Sequence, residues 1–175
     1  MKKMVEVVKK VSEKYEINAK EVRKNFPKAL VLDVTIDGGM KWLDPAFPMG
    51  GVMIPGMKKK GLSVMGVWEG LKIFKKKEEI DEKWMNDEKK LGKVRGCKVW
   101  GKLEGIKIED NLIGEEEGKK IFKEIYEDLI RERFGKVLEG IRKEAEKRTV
   151  ILLDYKEEKE RPFNHVEILK EILVE

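Results

Sequence analysis

DGGMKWLDPAFPMGGVMIPGM, residues 37 to 57, followed closely by SVMGVWEGLKIF, residues 63 to 74, is the part of the chain on which the fold turns. It carries few charges in a protein where 42% of residues are charged. Gly38, Gly39, Gly50, Gly51 and Gly56 alternate with Pro45, Pro48 and Pro55, a composition that gives a fixed, non-repetitive path and not a regular helix or strand. A loop of about twenty residues inside a compact domain is uncommon, and it is normally functional or disordered. Trp42, Leu43, Phe47, Met49, Val52, Met53 and Ile54 argue against disorder, because disordered segments are poor in such residues. The loop and the helix after it are therefore expected to form one wall of a pocket.

That helix opens at Ser63, the natural N-cap, and sets Val64, Val67, Trp68 and Leu71 on one apolar face. Gly66 and Gly70 lie four apart on one side of it. Each costs about 1 kcal/mol relative to alanine in a helix interior, so another backbone, side chain or ligand must approach closely there. Packing on a neighbouring element is the simpler explanation; a ligand seated on the helix is the other.

Working outward, residues 2 to 15 place Met4, Val8, Val11 and Tyr15 at helical spacing, which reads as an amphipathic surface helix. Asn18 with Glu21 suggests a capping box for a second short helix over 19 to 25, ended by Pro27. ALVLDVT, residues 29 to 35, reads as a buried strand. Lys58 to Gly61 reads as an exposed tip, and residues 80 to 90 as a solvated helix anchored by Trp84 and Met85. From 91 to 108, glycines recur every four or five residues among Val94, Val99, Trp100, Leu103 and Ile106, which suits short extended pieces. Residues 118 to 148 carry the strongest helical period, with Gly135 as the expected break. TVILLDY, residues 149 to 155, is a second buried strand, and a last helix begins near Asn164, its cap, with Val166, Leu169, Ile172 and Leu173 facing inward.

The whole is expected to be a single domain over 1 to 175 of the α+β class, predominantly helical, with a few short strands. The single cysteine, Cys97, excludes an internal disulfide and, with one histidine, leaves no set for a metal centre. No stretch reaches the roughly 18 apolar residues of a membrane span, so a cytoplasmic protein is expected. Lys and Glu dominate and glutamine is absent, a balance associated with heat-adapted proteins. The net charge of +5 raises the question of a nucleic-acid partner. Because Lys and Glu are interleaved along the helices, most of that excess is assigned to solvated faces.

The chemistry these residues permit centres on carboxylates. No phosphate-binding or dinucleotide glycine fingerprint is present, and His165 is the only base for a histidine-dependent nucleophile, in a helical turn where it is expected to face solvent. Asp37, Asp44, Glu69 and Asp154 lie near the apolar loop or at strand ends. In a low-dielectric pocket such a carboxyl can act as a general acid, or stay ionised beside a cation and stabilise an oxocarbenium-like transition state. Trp42 and Trp68 offer surfaces on which a base or sugar could stack.

The order of the pieces resembles the YbiA-like or NADAR superfamily. Leu43-Asp44-Pro45-Ala46-Phe47-Pro48 looks like its LSNFYP-type loop, and Ser63 to Phe74 is similar to its SVEHYYQAxKF helix. Leu91-Gly92-Lys93, Arg133-Phe134, Leu152-Leu153-Asp154 and Asn164 follow in the same order. The resemblance implies that fold and hydrolysis of an N-ribosidic bond in a nucleotide or ADP-ribose derivative, without a cofactor. It departs where the family has its glutamate and histidine, positions held here by Met65 and Gly66. Glu69, Asp44 and Asp154 are then the catalytic candidates, with Trp42, Trp68, Lys72, Arg95 and Asn164 as substrate-binding candidates, Lys72 or Arg95 on phosphate. The alternatives are a non-catalytic nucleotide- or small-molecule-binding protein on the same fold, which Met65 favours, and a basic nucleic-acid-associated protein.

Overall fold

The computed structural model describes residues 2–10, 19–73, 80–95, 100–101, 112–113, 115–155 and 165–175. Numbered in chain order, the strands are β1 Val5–Lys10, β2 Leu30–Asp33, β3 Val52–Met53, β4 Lys60–Gly61, β5 Trp100–Gly101, β6 Leu112–Ile113 and β7 Val150–Tyr155. The helices are α1 Ala19–Asn25, α2 Val64–Gly70, α3 Glu82–Met85, α4 Glu115–Lys147 and α5 His165–Val174. This is an α+β chain in which helix predominates, and it divides into two compact units.

The first unit comprises Met1–Asp44 and Ile130–Glu175. Its sheet is wholly parallel in the order β1-β7-β2, with Val5 opposite Val150 and Lys9 opposite Asp154 on one side, and Leu30 opposite Val150 on the other. The central strand has apolar neighbours on both faces, which is why Val150, Ile151, Leu152 and Leu153 are all buried without alternation. On one face Val31, Ile151 and Leu153 close against Val22 of α1.

β1 corrects the expectation of a helix over residues 2 to 15. In so short a segment, Met4 with Val8 fits a helical period while Val5 with Val7 fits a strand period. The β-branched residues and the ladder offered by β7 decide for the strand, begun by Val150 N–H donating to Met4 O at 2.9 Å. Residues 11 to 15 of that expectation, and the Asn18 cap expected for the helix over 19 to 25, lie outside the described residues.

The later part of α4 and α5 complete this unit. α4 leaves helical geometry at Phe134 (φ −122°, ψ 21°), one residue before the glycine expected to break it. Arg142 donates from Nε and Nη2 to Ile172 O at 3.0 and 2.9 Å, which ties α4 to the last turn of α5. Val166, Leu169, Ile172 and Leu173 are buried as the helical period requires. His165 is buried too, its Nε2 3.3 Å from Val34 O, so the expectation that it faces solvent is overturned.

The second unit is Pro45–Leu129. The glycine-rich segment forms a short antiparallel hairpin, with Val52 opposite Gly61 and Met53 opposite Lys60. Gly50, Gly51 and Gly56 have φ of 68°, 63° and 78°, a region that side chains with a Cβ rarely adopt, so these three need to be glycine. Val52 and Ile54 are buried, and Lys58, Lys59 and Lys60 are the exposed tip. The hairpin is fastened by Gly50 N–H donating to Leu62 O and Met65 N–H to Pro45 O.

α2 starts where expected: the Ser63 side chain accepts from Gly66 N–H at 2.9 Å. The helix expected over 80 to 90 is instead α3, a single turn capped by Asp81, followed by a 3₁₀ turn at Glu88–Lys90 capped by Asp87. Two successive aspartate caps, each bonding a backbone N–H two or three residues on, break the run. The N-terminal part of α4 buries Phe122, Ile125, Tyr126 and Leu129. Among the described residues, no helix is long and apolar enough to cross a membrane.

Candidate functional site

The close approach foretold by Gly66 and Gly70 is made by α3. A Cβ on Gly70 would stand 2.4 Å from Met85 Cγ and 2.8 Å from Asp81 O; one on Gly66 would meet Ser63 Oγ at 3.0 Å and Met85 O at 3.6 Å. The glycines are thus explained by packing of a one-turn helix against α2, and no ligand is needed on that side.

Glu69 lies between them in sequence, and its exposure is 0%. Its Oε2 takes a buried ion pair from Lys72 Nζ at 2.6 Å and a hydrogen bond from Arg95 N–H at 3.0 Å. Arg95 closes the knot from the other direction. Its Nη1 donates to Glu69 O at 3.1 Å and to Lys72 O at 2.8 Å, and its own carbonyl accepts from Lys72 Nζ at 3.1 Å. Four hydrogen bonds and an ion pair therefore lock three of the residues singled out from the sequence.

One oxygen is left over. Glu69 Oε1 is buried and has no hydrogen-bond partner among the described residues. Burial pushes the Glu69 carboxyl above its ordinary 4.5, against the opposing pull of the Lys72 hydrogen bond, the Arg95 amide and the two positive charges. A carboxyl with one oxygen held by donors and the other unpaired, in a site that favours the proton, is the equipment of a general acid.

The other candidates are placed differently. Trp68 is 2% exposed, its indole N–H donates to Gly118 O at 2.8 Å, and Phe122 meets it edge-on at 5.5 Å. Lys72 Nζ sits 5.0 Å from its ring centroid, so the surface expected to stack a ligand is packed by the protein itself. Lys72, expected to meet phosphate, is 3% exposed and engaged with Glu69. Met65, at the position of the resembled family's acid, is buried with the core.

Trp42, Asp44 and Asp154 belong to the first unit. Trp42 lies tilted against Phe134 at 4.4 Å. Asp44 follows the 3₁₀ turn Lys41–Leu43 and is buried, as is Asp154 toward the end of β7. Asp33, one of the strand-end carboxylates, accepts from Thr35 N–H and Oγ1 at 3.2 and 2.6 Å, a local turn. Asn164 lies outside the described residues.

Trp84 was read only as an apolar anchor, yet it stands beside the knot. The Arg95 guanidinium lies 5.6 Å from its ring centroid and Lys90 Nζ 5.0 Å from it. Its Nε1, like Glu69 Oε1, is buried without a hydrogen-bond partner among the described residues. The signal available in sequence was a lone tryptophan amid lysines and acids.

A family model matches residues 14–169, and its description is a family of unknown function, DUF6939. The chain belongs to the DUF6939 family. The matched span includes Glu69, Lys72, Trp84 and Arg95. No curated protein and no solved structure matches the chain.

Proposed function

We propose that this DUF6939 chain is an N-glycosidase-like hydrolase acting on an N-ribosidic bond of a nucleotide or ADP-ribose derivative, on a YbiA-like fold, with Glu69 as its acid. The observation that carries the reading is the buried Glu69 carboxyl, desolvated toward its neutral form, with Oε1 unpaired and Oε2 fixed by Lys72 and Arg95. The order of sequence pieces shared with the YbiA-like superfamily supports it. In this scheme Glu69 gives its proton to the departing nitrogen as the C1′–N bond breaks. Water then adds to C1′ and its proton returns to Glu69, leaving the base and the phosphorylated ribosyl fragment with a free C1′ hydroxyl.

A second reading, a nucleotide-binding protein without chemistry, is favoured by Met65 at the resembled acid position and by the packing of Trp68. One experiment separates the two. The full chain is screened by thermal shift against nucleotides, ADP-ribose and flavin precursors, since a ligand of the folded state raises the melting point, and each binder is assayed for released reducing sugar. The hydrolase reading expects turnover that Glu69→Gln lowers by at least about 100-fold with the fold retained. Binding without turnover supports the second reading instead.

A further inference from the structure

The first unit holds a cleft of about 720 Å³, a volume in the range of small-molecule sites. Its walls are Lys2, Met4, Val5 and Glu6, from the residues entering β1, and Lys170 and Val174, from the second half of α5. Part of the wall is apolar and uncovered: Met4 is 41% exposed and Val174 44%. Lys170 lies four residues before Val174, on the same stripe of α5, and is half-buried.

The charges in this cleft are unequal in how far they are already used. Its second acid, Glu175, is held from within the protein. Its Oε2 accepts from Arg131 Nη1 at 3.0 Å and from Arg142 Nη2 at 3.1 Å, and its Oε1 is paired with Arg131 Nη2. The Arg131 hydrogen bond, helped by the charges of Arg131, Arg142 and Lys3, holds that carboxyl below its ordinary 4.5. The C-terminal end of a helix would by itself favour a cation, but here Ile172 O is taken by Arg142 and Glu175 O by Lys3 Nζ. Lys2 and Lys170, by contrast, have no ion pair or hydrogen bond among the described residues, although Glu167 stands one turn before Lys170. Two uncommitted ammonium groups therefore line the cleft against a single uncommitted acid, Glu6.

An excess of positive charge beside an exposed apolar wall suits a ligand with an anionic end and an apolar body. Two ammonium groups match a dianion better than a monoanion, and lysine meets phosphate as a mobile point charge on a flexible stem. We propose that this cleft binds a small organic phosphate monoester, with Lys170 and Lys2 on the phosphate and Met4 and Val174 on the apolar body. The site uses none of Glu69, Lys72 and Arg95 and does not rest on the hydrolase reading.

The test uses the full chain with ¹³C-labelled methionine and valine methyl groups, the Met4 and Val174 resonances being assigned by their loss in Met4→Leu and Val174→Ile. Phenyl phosphate, benzoate, inorganic phosphate and phenyltrimethylammonium are titrated in turn at pH 7.5. The proposal expects phenyl phosphate to move both resonances saturably, with benzoate and inorganic phosphate each bound more weakly. Lys170→Gln is expected to weaken phenyl phosphate about tenfold, the loss of one charge-assisted contact, while Lys170→Arg retains it and both variants melt as the wild type does. Glu69→Gln is expected to bind phenyl phosphate unchanged. The proposal is overturned if no anion moves Met4 and Val174, if phenyltrimethylammonium moves them in place of phenyl phosphate, or if benzoate or inorganic phosphate binds as tightly. Unchanged affinity in Lys170→Gln overturns it as well, and so does loss of binding in a folded Glu69→Gln.

Discussion

Replacing Lys72 by methionine keeps the length of the side chain and deletes its charge, which leaves the Glu69 carboxylate without its 2.6 Å cation in a place with 0% exposure. Removing one partner of a buried ion pair costs about 3–5 kcal/mol, because the remaining charge stays desolvated and uncompensated. For a chain of this size a change of 1 kcal/mol shifts the melting point by roughly 2–4 °C, so Lys72→Met is expected to lose about 6–20 °C. Glu69→Leu alone strands the ammonium and is expected to cost a similar amount. The double variant removes both charges, and replacing a buried pair by apolar groups is often neutral or even stabilising by about 1–4 kcal/mol. Urea titrations of the wild type, both single variants and the double variant give the coupling energy, provided the slopes agree. The cycle also has a pH signature. The folded-state value of Glu69 lies above 4.5, so its contribution to stability is fully present below pH 4.5 and is lost as pH rises through the folded value. Without Lys72 that loss grows, and Lys72→Met is expected to recover part of its deficit as pH is lowered toward 4.5. Single variants whose costs add, with no coupling and no recovery at lower pH, would refute the buried pair.

Gly70→Ala and Gly140→Ala should move stability in opposite directions by thermal melting. The first forces a Cβ within 2.8 Å of the Asp81 carbonyl and within 2.4 Å of Met85, overpacking of the kind that costs about 1–3 kcal/mol, while the second has nothing within 4 Å and gains about 1 kcal/mol of helix propensity. Arg142→Ala removes both donors from Ile172 O, so the last turn of α5 is expected to lose about 1–2 kcal/mol of protection against amide hydrogen exchange, with the centre of β7 little changed.

The parts of this fold that could be read from the sequence are those where local chemistry and tertiary need coincide. Ser63 announced α2, the apolar runs at 29 to 35 and 149 to 155 announced two strands, and Gly135 marked the break in α4 to within one residue. β1 was not legible because its pairing partner, β7, lies some 145 residues away and so short a run fits two periods at once. The helix over 80 to 90 failed for a local reason, since Asp81 and Asp87 cap two separate turns where composition alone suggests one. At the site, Glu69 was named for its carboxyl and Lys72 and Arg95 for their charge, but the pairing of Glu69 with Lys72 was not foreseen. The role of Arg95 as a backbone clamp was hidden, because it depends on contacts 23 and 26 residues distant. Trp68 misled for a related reason: a tryptophan suited to stacking on a ligand is equally suited to a core with a carbonyl waiting for its N–H.

The central claim is that Glu69 is a proton carrier kept ready by burial, and a carboxyl resonance titration reads that property directly. With ¹³C-labelled glutamate and assignment by Glu69→Gln, the account predicts one resonance whose midpoint lies clearly above 4.5 and which disappears in the variant. A Glu69 that titrates at or below 4.5, as an ordinary ion-paired carboxylate does, would contradict it.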